Sequence, residues 1–218
     1  DGKYIVAGLT RSFGAGNSGD FLLCKVDAVG NYEWGKSCGG DNYDFARDVA
    51  ETPDGNYVIV GETRSFGVSN VGVLVSKFDS YGNHMWSKVV DSGNDDYPYA
   101  VTVCSDGSII VGGEISAGGL NQMFVLKMDS HGDFQWGKLL SGGSFSQITD
   151  VIFSSDGNLV VTGYVYLNDC ALFIGKLDQS GNPLWSRIVD RDNIDVGYSL
   201  KEIPDGGYVV VGKTYALS

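Results

Sequence analysis

The stretch Asp54–Gly61, DGNYVIVG, decides the fold because four close copies of it occur elsewhere in the chain. The copies begin at Asp1 (DGKYIVAG), Asp106 (DGSIIVGG), Asp156 (DGNLVVTG) and Asp205 (DGGYVVVG). Each copy places an Asp-Gly turn before a short apolar run, which is typical of a tight turn leading into a buried strand. A single repeat of 49 to 53 residues therefore organises positions 1–218, with repeats starting at 1, 54, 106, 156 and 205.

Three further markers follow each Asp in a fixed order: a Gly, a Lys and a Trp. The spacing is seven residues from Asp to Gly, nine from Lys to Trp and 20 from Trp to the next Asp. Only the distance from Gly to Lys varies, from 17 residues down to 13. Fixed spacing is expected where strand register decides which side chains face the core. Length variation is thus confined to one connection in each repeat, which we expect to be a surface loop.

Each repeat reads as four short antiparallel strands joined by tight turns, which is the pattern of a β-propeller blade. The 32 glycines among 218 residues agree with an all-β chain that is rich in turns. The chain begins at a second strand and ends after another, so the blades hold 3, 4, 4, 4 and 2 strands. We therefore expect a portion of a larger propeller, of six to eight blades. The alternative is a closed ring of four blades with a spare terminal strand.

The charge and the apolar runs exclude several functions. The net charge of −12 argues against nucleic acid and anionic membranes as partners. No apolar run reaches the length that membrane insertion needs. The four cysteines follow no metal or disulfide spacing, so we interpret them as individual packing residues. Exposed blade edges would permit self-association.

The pattern K-x-D-x-x-G-N-x-x-W-x-K resembles the propeller repeats of bacterial and archaeal secreted or surface proteins. This resemblance implies a location outside the cell or on its surface. The segment Asp27–Trp34, DAVGNYEW, is also similar to the tryptophan-docking element of quinoprotein-type propellers. That similarity implies a structural role between neighbouring blades for Trp34, Trp86, Trp136 and Trp185. A quinone site is not implied, and the Asp-Gly spacing is one residue too long for a sialidase Asp-box.

One motif, RSFG at Arg11–Gly14 and Arg64–Gly67, lies in the connection of variable length. One interpretation is an exposed Arg and Phe that stack on a ligand such as a sugar, which would involve Arg11, Phe13, Arg64 and Phe66. The other is a Phe that fills the gap between blades, and the sequence favours this second interpretation because the third and fourth repeats lack the motif.

A second motif is a carboxylate ten residues after the Trp, at Asp44, Asp96 and Asp195, with Ser146 in the third repeat. Asp41 and Asp192 lie seven residues after their Trp. Such loops could hold calcium, which takes six to eight oxygen ligands. The alternative is that each Asp accepts hydrogen bonds from backbone N–H groups in its turn.

The sequence contains no recognisable catalytic constellation. His84 and His131 lie in short turns, on the face opposite the variable connections. The leading hypothesis is therefore a non-enzymatic binding or structural propeller that presents its loops to a protein or glycan partner. The second hypothesis is the propeller of a hydrolase or lyase, which predicts convergent carboxylates of raised pKa near the centre.

Overall fold

The computed structural model describes residues 2–12, 14, 18–140, 143–190 and 194–215. These residues form 17 strands in chain order, and all the strands pair in antiparallel fashion. The strands are β1 (Tyr4–Thr10), β2 (Asp20–Val26), β3 (Tyr32–Cys38), β4 (Asp44–Glu51), β5 (Tyr57–Thr63), β6 (Gly72–Phe78), β7 (His84–Val90), β8 (Asp95–Val103), β9 (Ile109–Ala117), β10 (Leu120–Met128), β11 (Phe134–Leu140), β12 (Ser146–Phe153), β13 (Leu159–Tyr166), β14 (Cys170–Leu177), β15 (Pro183–Val189), β16 (Asp195–Glu202) and β17 (Tyr208–Thr214).

The strands form five separate sheets, one for each blade. Blade 1 contains β1–β3, blades 2 to 4 contain β4–β7, β8–β11 and β12–β15, and blade 5 contains β16 and β17. The all-β propeller that the repeats predicted is confirmed. Strand β16 pairs with β17 and does not complete blade 1, so the blades form an open arc, as in a partial propeller, rather than a closed ring of four.

The first strand of each complete blade is the inner strand. Strands β4, β8, β12 and β16 lie side by side, and β1 contacts β4 because blade 1 lacks an inner strand of its own. The core consists of three apolar layers, each between two neighbouring blades. In the layer between blades 2 and 3, for example, Val58 and Val73 pack with Phe124 and Leu126. Burial between sheets explains why β5 and β6 are buried on both faces.

The repeated Gly after each Asp-Gly turn accommodates a β-bulge in the inner strand. Strand β4 shifts its pairing register between Ala46 and Asp48, directly opposite Gly61. A Cβ at Gly61 would lie 2.0 Å from the carbonyl oxygen of Phe45, so only glycine fits. Gly113, Gly163 and Gly212 are equally crowded by the bulges of their own inner strands, whereas Gly8, which faces no inner strand, has open space.

The Trp of each of the first three blades lies against a turn glycine of the next blade. A Cβ at Gly82, Gly132 or Gly181 would lie 2.8–2.9 Å from ring atoms of Trp34, Trp86 or Trp136 respectively. The three glycines also have φ between 76° and 80°, a conformation that favours glycine. The fixed nine-residue spacing from Lys to Trp therefore sets a contact between blades.

The repeated Lys joins the Asp-Gly turn to the third strand. Lys77 Nζ lies 3.1 Å from Asp54 Oδ2, and Lys176 Nζ lies 2.6 Å from Asp156 Oδ2. Lys176 also donates a hydrogen bond to the Tyr208 hydroxyl in the next blade, 2.9 Å away. Hydrogen bonds from Thr52 and Lys77 lower the pKa of Asp54 to about 2, and the hydrogen bond from Lys176 lowers that of Asp156 to about 2.

Candidate active site

A polar cluster spans the inner strands of blades 2 and 3 and the strands that follow them, near the ends that face the variable connections. We call this the axial cluster: Arg47, Glu62, Tyr99, Glu114 and Asn121. Arg47 and Tyr99 are the bulge residues of β4 and β8. Glu62 and Glu114 follow the repeated glycines of β5 and β9, and each occupies the same position of its repeat. Because a bulge redirects a side chain, the fold itself brings Arg47 and Tyr99 to these carboxylates.

Glu62 is held by an arginine of its own blade. The Arg47 guanidinium donates hydrogen bonds to Glu62 Oε1, with 2.8 Å from Nε to the oxygen. The guanidinium also lies over the ring of Phe45, 4.4 Å from its centroid, and 5.3 Å from the ring centroid of Tyr99 in the next blade. The positive charge is thus fixed between two blades, beside a buried carboxylate.

Glu114 has a different environment, because uncharged groups hold it. The Tyr99 hydroxyl donates to Glu114 Oε1 over 3.2 Å, and the Asn121 amide donates to Glu114 Oε2 over 3.1 Å. Burial raises the pKa of Glu114 above its ordinary value, the two hydrogen bonds lower it in part, and the negative charge of Glu62 raises it further. Burial and the nearby Glu114 also raise the pKa of Tyr99.

The two carboxylates therefore occupy opposite electrostatic environments within one cluster. Contacts run from Glu62 through Arg47 and the Tyr99 ring to Glu114. When two nearby carboxyl groups have environments that push their pKa values apart, one can act as an acid and the other as a base or nucleophile. The second hypothesis predicted convergent carboxylates of raised pKa, and within this cluster it is Glu114 whose pKa is raised.

Three of the five aspartates suggested as metal ligands, Asp44, Asp96 and Asp195, lie at the starts of inner strands. Asp44 is fully buried, and its carboxylate accepts hydrogen bonds from Gly40 N at 2.8 Å, Ser65 Oγ at 2.9 Å and Thr63 Oγ1. Asp96 accepts from Ser92 N and Oγ, both at 2.8 Å. Their expected placement in loops is corrected, because Asp44 is the first residue of β4 and Asp96 is the second residue of β8.

The structure does not gather these aspartates around one point. Asp195 begins β16, Asp41 is exposed before β4, and Asp192 lies outside the described residues. Among the described residues, no group of three or more His, Cys, Asp or Glu side chains could hold a metal ion. Calcium stays a prediction from the sequence.

The RSFG motif of blade 2 is exposed rather than buried between blades. Phe66 is 54% exposed, so the favoured interpretation, in which it fills the gap between blades, is corrected for this residue. Arg11 and Arg64 are exposed in the corresponding loops of blades 1 and 2, whereas Phe13 lies outside the described residues.

Sequence reasoning missed the axial cluster. Aligning the repeats would have drawn attention to it, because the position after the repeated Gly holds Glu62 and Glu114 in blades 2 and 3 but Leu9, Tyr164 and Lys213 elsewhere. The bulge that redirects Arg47 and Tyr99 leaves no signal of its own in the sequence.

Comparisons with known proteins identify the fold and no family. No protein-family model matches the chain, and no curated protein matches it by sequence. Among solved structures, the NanB sialidase from Streptococcus pneumoniae is 13% identical with a TM-score of 0.63, and the match covers 91% of this chain and 33% of that one. The Hadza microbial sialidase Hz136 is also 13% identical, with a TM-score of 0.50, and the match covers 93% and 53%. The chain thus spans a third to about half of these proteins.

These comparisons correct the leading hypothesis of a non-enzymatic binding or structural propeller. The solved structures compared above are sialidases, which are hydrolases. They support the second hypothesis, that of a hydrolase propeller, better than the first. The described residues contain no helix that is long and apolar enough to cross a membrane.

Proposed function

We propose that this chain is part of the propeller of a glycoside hydrolase, with its chemistry at the axial cluster. One observation carries the proposal: Glu62 is paired with Arg47, whereas Glu114 is buried, has a raised pKa and is held by uncharged donors. Glycosidases use two carboxyl groups in this way, one protonated and one ionised. The fold shared with sialidases supports the same class of substrate.

Each carboxyl group has a separate role in the proposed reaction. Protonated Glu114 donates its proton to the glycosidic oxygen as the bond from that oxygen to the anomeric carbon breaks. The Glu62 carboxylate stabilises the positive charge that develops on the sugar ring. Water then adds to the anomeric carbon, and its proton returns to Glu114. Arg47 and Tyr99 are positioning residues that hold the two carboxyl groups.

The experiment is a screen of the full-length protein against aryl glycosides of common sugars, including sialic acid. We expect hydrolysis of at least one glycoside, and a loss of kcat of at least about 100-fold in Glu62→Gln and in Glu114→Gln. Glu51→Gln, at the exposed end of the inner strand β4, is the matched control and should keep full activity. Activity that survives in both axial variants would refute the assignment of the site.

Location and partners remain predictions. An extracellular or cell-surface location fits a glycosidase that acts on polymeric or cell-bound glycans, and a glycan partner would then be the substrate. Fractionation of cells that express the full-length protein tests the location directly.

A further inference from the structure

A second cleft lies between blades 1 and 2, away from the axial cluster. Its lining includes Ser37 and Cys38 of blade 1 and Phe66, His84 and Ser87 of blade 2. The expected position of His84 in a turn on the opposite face is corrected, because it is the first residue of β7 and lines the same cleft as Phe66. The cleft has a volume of about 330 Å³ and opens to solvent. Among the described residues that line it, none is acidic, lysine or arginine, and the nearby Asp20 carboxylate is buried behind the lining residues Gly14 and Gly39. Its chemistry therefore suits an uncharged ligand.

Blade 2 is more polar than blade 3 at this cleft. Its polar residues Ser76, Ser87 and His84 occupy the positions that blade 3 fills with Leu126, Gly137 and Phe134. The corresponding cleft between blades 2 and 3 is lined mainly by apolar side chains, such as Phe124, Phe134 and Leu139.

These polar residues form a connected chain of hydrogen bonds. Ser76 Oγ and Ser87 Oγ are 2.8 Å apart, and Ser87 Oγ is 2.8 Å from His84 Nε2. Cys38 Sγ lies 3.5 Å from Ser87 Oγ, on the blade 1 side of the cleft. Hydroxyl and imidazole groups can each donate and accept, which matches the dual character of sugar hydroxyls.

Phe66 stands at the same cleft in an unfavourable backbone conformation. Among the described residues other than glycine, it alone has a positive φ, of 57°. Its loop is fixed to the preceding connection: Ser65 Oγ donates to Asp44 at 2.9 Å, and Asn42 donates to the Arg64 carbonyl at 3.0 Å. A bulky residue held exposed at positive φ carries strain that the surrounding structure must offset, which is common at ligand sites.

We propose that this cleft binds a neutral saccharide, with the Phe66 ring against the apolar face of a sugar and His84 and Ser87 bonded to its hydroxyls. The cleft presents an aromatic ring beside hydroxyl and imidazole groups and has no charged side chain among its described lining residues, so it favours a neutral saccharide over a charged ligand. The site does not depend on catalysis at the axial cluster. It would hold a glycan to the protein whether or not that glycan is cleaved.

Saturation-transfer NMR with methyl glycosides of glucose, galactose, mannose, xylose and N-acetylglucosamine tests the proposal. We expect at least one of these glycosides to bind the full-length protein. Its affinity should fall at least about tenfold in Phe66→Asn, which keeps the left-handed backbone conformation, and in His84→Phe, which introduces the residue that blade 3 has at this position. Tyr81→Ser, which removes an exposed aromatic side chain in the turn before β7, is the control.

The outcomes separate this site from the proposed active site. Glu114→Gln should bind the same glycoside with unchanged affinity. If binding is lost in Glu114→Gln and kept in Phe66→Asn, the sugar binds at the axial cluster and the proposal is overturned. No binding by any of the five glycosides would also overturn it. If Phe66→Asn fails to fold, His84→Phe alone decides.

Discussion

The Tyr99 hydroxyl donates a hydrogen bond to Glu114 Oε1 over 3.2 Å, from the bulge of one strand to its neighbour in the same blade. A donor to the carboxylate stabilises its charged form and so lowers the pKa of Glu114. Removing the hydroxyl should therefore raise that pKa.

We expect Tyr99→Phe to shift the basic limb of the activity–pH profile to higher pH by about half a unit to one unit, since the acid must be protonated to act. Rate measurements across pH on the active glycoside check this. Tyr164→Phe, whose hydroxyl bonds Gln147 instead, is the control. A limb that stays in place, or that moves to lower pH, would contradict the role of Glu114.

Gly132→Ala should destabilise the protein through the contact with Trp86. The new Cβ would lie 2.8 Å from the Trp86 ring, at a residue with φ of 80°. Gly55→Ala has a similar φ of 74° but open space, so it isolates the cost of the backbone conformation. We expect Gly132→Ala to lower the free energy of unfolding by about 1–3 kcal/mol more than Gly55→Ala, as overpacking predicts. Urea unfolding measures both, and equal losses would show that the Trp contact contributes nothing.

Phe66→Asn should leave the free energy of unfolding unchanged or raise it by up to about 1 kcal/mol, because Asn tolerates the left-handed conformation that strains Phe. A Phe that filled a buried gap would instead cost about 3–5 kcal/mol on truncation. Thermal and urea unfolding distinguish the two outcomes.

Asp48→Asn should change how stability depends on pH. Asp48 accepts a hydrogen bond from Val101 N of the next blade at 2.8 Å, and burial raises its pKa above the ordinary 3.8. A raised folded-state pKa means that the wild type loses stability as pH rises through the interval between 3.8 and the folded value. The Asn variant lacks this loss, so its stability relative to wild type should increase with pH over that interval.

The matched comparison for this pH effect is Asp54→Asn, which should show the opposite sign. The pKa of Asp54 is lowered to about 2 by Thr52, Lys77 and Asn56, so the wild type gains stability above 3.8 and loses it as pH falls toward 2. The variant should be less stable at pH 7 by under about 1 kcal/mol, since the side chain is exposed, and equal at pH 2. Parallel pH curves for the two variants would refute both assignments.

The sequence predicted the fold because its fixed spacings reflect backbone geometry. The repeated Gly61 must face a bulge, and the turn glycine Gly132 must meet a Trp, so neither spacing can change without a clash. The open arc followed from counting strands.

The site was harder to predict because its residues are defined by a bulge and by contacts between blades. Arg47 sits in FARDVAET and looks like an ordinary solvated residue, until the bulge brings it to Glu62 and the next blade brings Tyr99 over it. The polarity of Asp44 suggested a loop residue. In the structure its side chain is buried and accepts hydrogen bonds from Thr63 and Ser65. The exposure of Phe66 depends on the same loop contacts and not on local composition.

The most direct test of the axial site compares two leaving groups in the Glu114→Gln variant. A general acid matters most when the leaving group needs a proton, so kcat should fall at least about 100-fold for a poorly activated aryl glycoside. For a 2,4-dinitrophenyl glycoside of the same sugar, whose leaving group departs as an anion, kcat should change by less than about tenfold. Equal losses on both substrates, or no loss on either, would contradict Glu114 as the acid and with it the proposed active site.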